Sequence, residues 1–403
     1  MCEGPSGHFD PMDENQKAWW LRTGALLERI LKDASYSPDL QHQYLDFYRK
    51  VLVPALGPFP SCFHSAITFT GLPLEFSVNY QQSSVQPVVR ISIEAVNSSS
   101  GTAEDPYNQT PMRGLITRLR QMGIQGFDAT LLNHFIQEHS VGNGQKSGLT
   151  SSQMDKIDSV SQAAFGFDLK KSGISVKGYT FPGVKCLLSG VPLARLLKDS
   201  IHEKVTGIDS SDAFTVVNDY MEETDGYNTF CFFSWDCVSP QKSRLKFYGS
   251  YDSVTWAKLE DIWTLGGRNG GPSVRRGLEY FRQLWNIVCY GKPTSQVKVS
   301  TDEVYATKTP LIWNYEMKSG NPFPATKLYI PVQGKNDGEV AQSIALFFRE
   351  VGMDAYADSY VRTVESYFPD HDLETSESLI SWISFAYSET TGVYLSVYYN
   401  GMP

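Results

Sequence analysis

Lysine and tyrosine recur two residues apart in three strand-like segments of this 403-residue chain. The pairs are Lys177/Tyr179, Lys246/Tyr248 and Lys327/Tyr329. Side chains two residues apart on a strand share a face, so each pair would present a cation beside an aromatic ring. Converging cations need a polyanion partner, and the π-face of a tyrosine stabilises a carbocation. A diphosphate and an allyl cation are such partners, and both occur in prenyl transfer.

Other strand-like segments place polar groups on the same kind of face, with an apolar face opposite. These groups are Glu75 in LEFSVNY, Arg90 in VVRISIEAV, Arg244 in RLKFYG, and Tyr394 and Tyr398 in GVYLSVYY. Taken one strand at a time, such a face is typical of the solvated side of an antiparallel sheet. A solvated face would, however, usually mix Lys with Glu, Thr and Ser. We therefore expect a closed barrel that collects these side chains in one lumen.

The spacing of the pairs indicates an internal repeat. Lys177 and Lys246 are 69 residues apart and Lys246 and Lys327 are 81 apart, a weak repeat of ~80 residues that would fill the chain with five units. Amphipathic helices to coat the barrel are predicted at 14–33, 39–53, 112–122, 274–290 and 339–351. We expect an α+β fold in which residues 14–403 form a single domain after a flexible tail at 1–13.

Composition and motifs exclude several classes of function. Acids outnumber bases 44 to 35, giving a net charge of −9, which disfavours a nucleic acid or an anionic membrane as partner. We see neither a long apolar segment nor a signal peptide, so we expect a cytoplasmic protein. No zinc-type spacing, P-loop or serine-hydrolase motif is present, and the acid-rich segment 218–225 is interpreted as a solvated helix end or loop. We expect no metal and no cofactor.

Several longer segments resemble a known family. They are GLPLEFSVNY, SQAAFGFD with VKGYTFP, RLKFYG with VTWAK and WTLGGR, IWNYE, KLYIPV, and SWISFAY with GVYLSVYY. In this order they resemble fungal aromatic (indole) prenyltransferases of the dimethylallyltryptophan-synthase family. The resemblance runs from about residue 15 to 400, and it looks strongest to members acting on tryptophan-containing cyclic dipeptides. It implies an ABBA prenyltransferase barrel: ten antiparallel strands ringed by helices, in five αββα repeats.

The resemblance also implies a reaction: transfer of dimethylallyl from dimethylallyl diphosphate to an indole carbon, without metal, in secondary metabolism. It assigns diphosphate binding to Arg90, Lys177, Arg244, Lys246 and Lys327. It assigns the tyrosine shield of the allyl cation to Tyr179, Tyr248, Tyr329, Tyr394 and Tyr398. It assigns to Glu75 the hydrogen bond from the indole N–H, which would orient the ring and stabilise its developing charge.

Some alternatives stay open at this point. Members that prenylate free tryptophan have a second lysine near the position of Ala164, so free tryptophan is disfavoured and the final base is unassigned. Glu75 would bond a phenol as readily as an indole, which leaves tyrosine, xanthone or polyketide acceptors possible. A non-catalytic barrel that binds an anionic ligand is a further alternative. The expected partners are dimethylallyl diphosphate and an indole-containing small molecule, with the protein a monomer or homodimer.

Overall fold

Ten antiparallel strands form a closed barrel in the computed structural model, which describes residues 12–84, 86–142, 149–154, 157, 159–204, 212–291 and 303–402. The strands are β1 Leu74–Gln81, β2 Val88–Ile93, β3 Ala163–Lys170, β4 Gly173–Thr180, β5 Phe230–Asp236, β6 Arg244–Val254, β7 Tyr305–Lys318, β8 Ala325–Pro331, β9 Ile380–Ser388 and β10 Gly392–Asn400. Each strand pairs with the next along the chain, and β10 pairs with β1 to close the ring. The predicted fold class and strand number are confirmed.

Helices precede each of the five hairpins and coat the barrel. The described helices are α1 Glu14–Asp33, α2 Pro38–Phe47, α3 Thr110–Gln121, α4 Thr130–His139, α5 Ser151–Met154, α6 Gly183–Ser189, α7 Leu193–Lys204, α8 Asp212–Glu223, α9 Trp256–Thr264, α10 Pro272–Tyr290, α11 Asp337–Glu350, α12 Asp354–Ala357 and α13 Tyr360–Tyr367. Capping side chains define several starts, since Asp13, Ser37, Thr255 and Asn336 each accept a hydrogen bond from a first-turn backbone N–H. No described helix is long and apolar enough to cross a membrane.

The antiparallel order gives the barrel two distinct ends. All five hairpin turns lie at one end, which we call the turn end, because every odd-numbered strand runs towards it. The connections that contain the helices lie at the other, the helix end. Residues 1–11 of the predicted tail lie outside the described residues, and Asp13 is already the N-cap of α1. The tail therefore stays a prediction.

The apolar face of every strand is buried against the helices. At two places on this outer face, a tryptophan lies opposite a glycine of the neighbouring strand. These pairs are Trp235 with Gly178 and Trp313 with Gly249. A Cβ atom on Gly178 would lie 2.3 Å from Trp235 Cζ2, and one on Gly249 would lie 2.1 Å from Trp313 Cζ2. Both glycines are therefore needed to let the indole lie against the strand.

Candidate active site

The lumen of the barrel contains a cavity of about 390 Å³ whose lining extends to residues of the turn end, such as Gln81, Lys170 and Ser388. Ten of the eleven predicted site residues line it, and they are Arg90, Lys177, Tyr179, Arg244, Lys246, Tyr248, Lys327, Tyr329, Tyr394 and Tyr398. The eleventh, Glu75, lies in the same barrel but nearer the helix end, as the second residue of β1. The structure thus brings together side chains that are more than 300 residues apart in the chain.

Strand direction explains why the cations and the tyrosines form separate layers. All three Lys-x-Tyr pairs lie on second strands of hairpins, β4, β6 and β8, which run from the turn end to the helix end. In each pair the tyrosine is therefore about 6 to 7 Å deeper along the strand than its lysine. The repeated spacing gives a layer of cations near the turn end, a layer of tyrosines below it, and Glu75 beyond.

Three carboxylates that we did not predict lie among the cations. Asp168 Oδ1 is 3.0 Å from Arg90 Nε and 2.6 Å from Lys177 Nζ. Asp236 Oδ2 is 2.6 Å from Arg244 Nε. Glu316 Oε2 lies 3.2 Å from Arg244 Nη1 and 3.5 Å from Lys246 Nζ. Three carboxylates among five basic side chains neutralise part of the positive charge of this group, so the lumen is less cationic than the sequence suggested.

The ion pairs decide the protonation of these acids. Burial alone would raise the pKa of Asp168, but the charges of Lys177 and Arg90 outweigh it and hold that pKa well below its usual value. Burial opposes ionisation of Asp236 in the same way, and Lys246 and Arg244 again lower its pKa. Both carboxyl groups are therefore ionised at neutral pH and remain counter-ions in the empty site.

Lys327 differs from the other four cations. Within the described part of the chain, no carboxylate lies within 4.0 Å of its Nζ; this atom instead lies 4.2 Å from the centre of the Tyr394 ring. Burial, followed by the charges of Arg90 and Lys246, lowers the pKa of Lys327 well below its ordinary value. Lys327 is thus the cation of this group that lacks a carboxylate partner.

Four tyrosines form a continuous arc around the lumen. The ring centres of Tyr179 and Tyr248 are 6.4 Å apart, those of Tyr248 and Tyr329 are 6.1 Å apart, and those of Tyr329 and Tyr398 are 6.0 Å apart. Phe232, which we did not predict, stacks on Tyr248 at 4.1 Å. The arc is an aromatic wall of the kind that stabilises a cation and excludes water.

The fifth predicted tyrosine lies elsewhere. Tyr394 accepts a hydrogen bond from Arg90, and its ring faces Lys327. Its position is therefore in the cation layer, where its hydroxyl orients a guanidinium. A role in the shield stays a prediction for this residue.

Glu75 is almost fully buried, and its environment changes its acidity. Burial raises the pKa of its carboxyl to about 8, although a hydrogen bond from Ser381 works in the opposite direction. Ser381 Oγ lies 3.2 Å from Glu75 Oε1. Because no cation forms an ion pair with Glu75 among the described residues, the group is free to receive a ligand N–H or O–H.

Small residues on β3 leave room for the tyrosine arc. Ala164 lies opposite Tyr179 in the β3–β4 register, at the position where the resemblance led us to expect a missing lysine. A Cβ atom on Gly166 would lie 3.1 Å from Tyr179 Cε2 and 3.2 Å from its hydroxyl oxygen. The absence of bulk at Gly166 therefore permits the ring of Tyr179 to reach the lumen.

The acid-rich segment 218–225 lies at the end of α8, outside the lumen, and Asp219, Glu222, Glu223 and Asp225 are exposed. The interpretation as a solvated helix end is confirmed. In the described ranges, no three His, Cys, Asp or Glu side chains are grouped so that they could hold a metal ion.

Comparisons with known proteins identify the family of this chain. The family described as tryptophan dimethylallyltransferase matches residues 15–363. Prenyltransferase okaC of Penicillium ochrochloron is 43% identical over 99% of this chain and 93% of its own length. Deoxybrevianamide E synthase notF of an Aspergillus species is 38% identical over 98% of this chain and 88% of its own. The crystal structure of NotF in complex with brevianamide F and DMSPP superposes with a TM-score of 0.85 at 36% identity, covering 98% of this chain and 97% of that one. The chain belongs to the tryptophan dimethylallyltransferase family.

Proposed function

We propose that this protein transfers the dimethylallyl group of dimethylallyl diphosphate to an indole carbon of a tryptophan-containing cyclic dipeptide, in secondary metabolism. The observation that carries the proposal is the order of groups along the lumen: cations, then a tyrosine arc, then Glu75. This order matches a substrate pair with a diphosphate at one end, an allyl cation in the middle and an indole N–H at the other. The NotF complex holds brevianamide F, and this similarity is the reason for choosing a cyclic dipeptide as the acceptor.

The first step breaks the bond between the allyl carbon and the diphosphate oxygen, and the bonding electrons leave with the diphosphate. The negative charge that develops there would be stabilised by the five cations of the lumen, Arg90, Lys177, Arg244, Lys246 and Lys327. Since three carboxylates already neutralise part of this group, the remaining positive charge favours the diphosphate without holding the product indefinitely.

The second step is attack by the indole on the allyl cation. The arc formed by Tyr179, Tyr248, Tyr329 and Tyr398 would stabilise the cation and keep water from quenching it. Glu75 would accept the indole N–H, which orients the ring and stabilises the charge that appears on its nitrogen. Loss of a proton from the substituted carbon then restores the aromatic ring.

The test is a product assay with purified protein, dimethylallyl diphosphate and a panel of acceptors, in the presence of EDTA. We expect a prenylated cyclic dipeptide, with its position read by NMR, and little product with free tryptophan. Product from phenols alone would overturn the assignment of an indole acceptor, and no product from any acceptor would overturn the proposed reaction. Activity that returns only after Mg²⁺ is added would overturn the proposed independence from metal.

A further inference from the structure

A second buried carboxylate lies close to Glu75, and no part of the reaction above uses it. Glu94 directly follows β2 and is fully buried. Glu94 follows Arg90 and Ser92 at intervals of two residues, so it continues the face of β2 that is directed into the lumen. Ser92 lies opposite Glu75 in the β1–β2 register. Glu94 therefore lies one step nearer the helix end than the pair formed by Glu75 and Ser92.

The carboxylate of Glu94 accepts hydrogen bonds from three separate segments. Ser65 Oγ and Ser161 Oγ donate to its Oε2 at 2.5 and 2.7 Å, and Asn108 Nδ2 donates to its Oε1 at 2.9 Å. We call these four residues the Glu94 cluster. Burial raises the pKa of Glu94 to about 7, while the hydrogen bonds lower it. A carboxylate buried without a cation is tolerated only when such donors satisfy it.

The three segments belong to the connections at the helix end of the barrel, the end nearer to Glu75. Residues 64–71 fold back through a hydrogen bond from Ser65 N to Gly71 O, and they lead into β1 and so to Glu75. The backbone N–H of Glu94 donates to Pro73 O at 3.0 Å, two residues before Glu75. The cluster thus fixes the entry to β1 through both the side chain and the backbone of Glu94.

The other two donors bring in the remaining loops. Asn108 has a positive φ of 51° and also accepts a hydrogen bond from Ser100 Oγ at 2.6 Å, which fixes the segment after β2. Ser161 lies just before β3 and accepts a hydrogen bond from Ala66 N at 3.0 Å. Because each loop bonds to the cluster and two of them bond to each other, loss of Glu94 would release them together.

We propose that Glu94 is a positioning residue for the acceptor: it holds the three loops at the helix end so that the indole meets Glu75 and the allyl cation in one orientation. This inference rests on the proposed function. It predicts that disturbing the cluster changes where and how well the acceptor binds, while the cation layer near the turn end still binds the donor normally.

The experiment compares Glu94→Ala with Glu94→Gln. In Glu94→Ala the KM of the acceptor should rise about tenfold or more, because small displacements of a reacting group are costly. Its single product should also become a mixture of positional isomers, and the Kd of dimethylallyl diphosphate should change less than about threefold. Glu94→Gln should restore one main product, since its amide keeps the shape and the serine hydroxyls can accept hydrogen bonds.

The matched control is Tyr360→Phe, which removes a buried hydrogen bond of 2.9 Å to Tyr399 on the outer face of the barrel. It should lower the melting temperature without changing the product pattern.

If Glu94→Ala lowers stability but keeps the acceptor KM and the product pattern, the inference is wrong. If Glu94→Ala does not fold, Ser161→Ala decides in the same assay, because it removes one of the three donors. An inactive wild-type protein would instead overturn the proposed function.

Discussion

The acidity of Glu75 sets a pH dependence for acceptor use. With a pKa of about 8, this carboxyl is protonated in much of the free enzyme at neutral pH, and the ionised form that best accepts an N–H becomes populated as the pH rises. At saturating donor, kcat/KM for the acceptor should therefore rise about tenfold per pH unit below pH 8 and level off above it. Steady-state kinetics from about pH 6 to pH 9 would measure this rise.

The control for this prediction is Glu75→Gln, which cannot ionise. Its kcat/KM should be low and should lack the rise near pH 8, while binding of the donor is preserved. A wild-type profile that is flat between about pH 6 and pH 8 would show that the ionised form of Glu75 is not required.

Lys327 should take up a proton when the donor binds. In the empty lumen the pKa of this amine is well below its ordinary value, and a diphosphate beside it would favour the charged form and raise that pKa. The charges of Arg90, Lys246 and Lys177 oppose protonation of Lys327, and the charge of Glu316 favours it. A diphosphate adds negative charge beside the amine and therefore shifts the equilibrium towards the protonated form. Calorimetry at several pH values, in buffers of different ionisation enthalpy, should show uptake of up to about one proton.

Lys327→Arg should reduce this uptake, because a guanidinium stays charged at every accessible pH. Lys258→Arg is the matched control, since Lys258 pairs with Asp261 on the helical layer at 2.9 Å and should leave the uptake unchanged. Equal uptake in wild type and Lys327→Arg would assign the proton to another group.

The individual site residues were predictable to different degrees. Lys177, Lys246 and Lys327 could be found because each shares a local Lys-x-Tyr pattern. Asp168, Asp236 and Glu316 could not, because the role of each carboxylate depends on which strand lies beside it. The signal that could have found them is strand alternation: each falls on the lumen face of its own strand.

At the scale of elements, the tryptophan–glycine pairs on the outer face should control stability. In Gly249→Ala the new Cβ atom would overlap the Trp313 ring, whose Cζ2 is 2.1 Å away, and such overpacking typically destabilises a fold by about 1–3 kcal/mol. Chemical denaturation monitored by tryptophan fluorescence would measure the change in the free energy of unfolding.

Gly114→Ala is the opposite case. Gly114 lies within α3, and a Cβ atom there meets nothing within 4 Å, so the change should stabilise the protein by up to about 1 kcal/mol. If Gly249→Ala and Gly114→Ala changed the free energy of unfolding equally, close packing of Gly249 against Trp313 would not be important for stability.

Four of the five predicted helices have nearly the observed bounds. The patterns at 14–33, 112–122, 274–290 and 339–351 correspond to α1, α3, α10 and α11 within two residues at either end. The pattern at 39–53 was only partly right, because α2 ends at Phe47 and the chain continues as a π-helical turn over Tyr48–Leu52 and a 3₁₀ turn over Val53–Ala55. Pro54 lies in the last of these turns and lacks the N–H that would continue an α-helix beyond it.

At the scale of the whole molecule, closure by β1 and β10 leaves the barrel without a free edge. Phe76 pairs with Tyr399 and Val78 with Val397 across the closing seam. Amides in β1 and β10 should therefore exchange with solvent as slowly as those in β5 and β6, and only through global unfolding. Native-state hydrogen exchange read by mass spectrometry would test this. Faster exchange confined to β1 and β10 would show that the seam opens on its own.

The closed barrel itself could be expected from the sequence, because five segments share one polar face and only a lumen brings them together. Its two ends could not be told apart in that way. They depend on strand direction, which places Arg244 beside a hairpin turn and Glu75 beside a helical connection. The Glu94 cluster was missed for the same reason, since Ser65, Asn108 and Ser161 meet only when three connections reach the same end.

This polarity has a consequence for how such a chain can diverge. The groups proposed to handle the donor lie towards the hairpin turns, whereas those proposed to receive the acceptor lie towards the longer connections between hairpins. A mutation in one set therefore alters one substrate without disturbing the other. A lineage could keep its isoprenoid chemistry unchanged and acquire new aromatic substrates by remodelling one rim of the barrel.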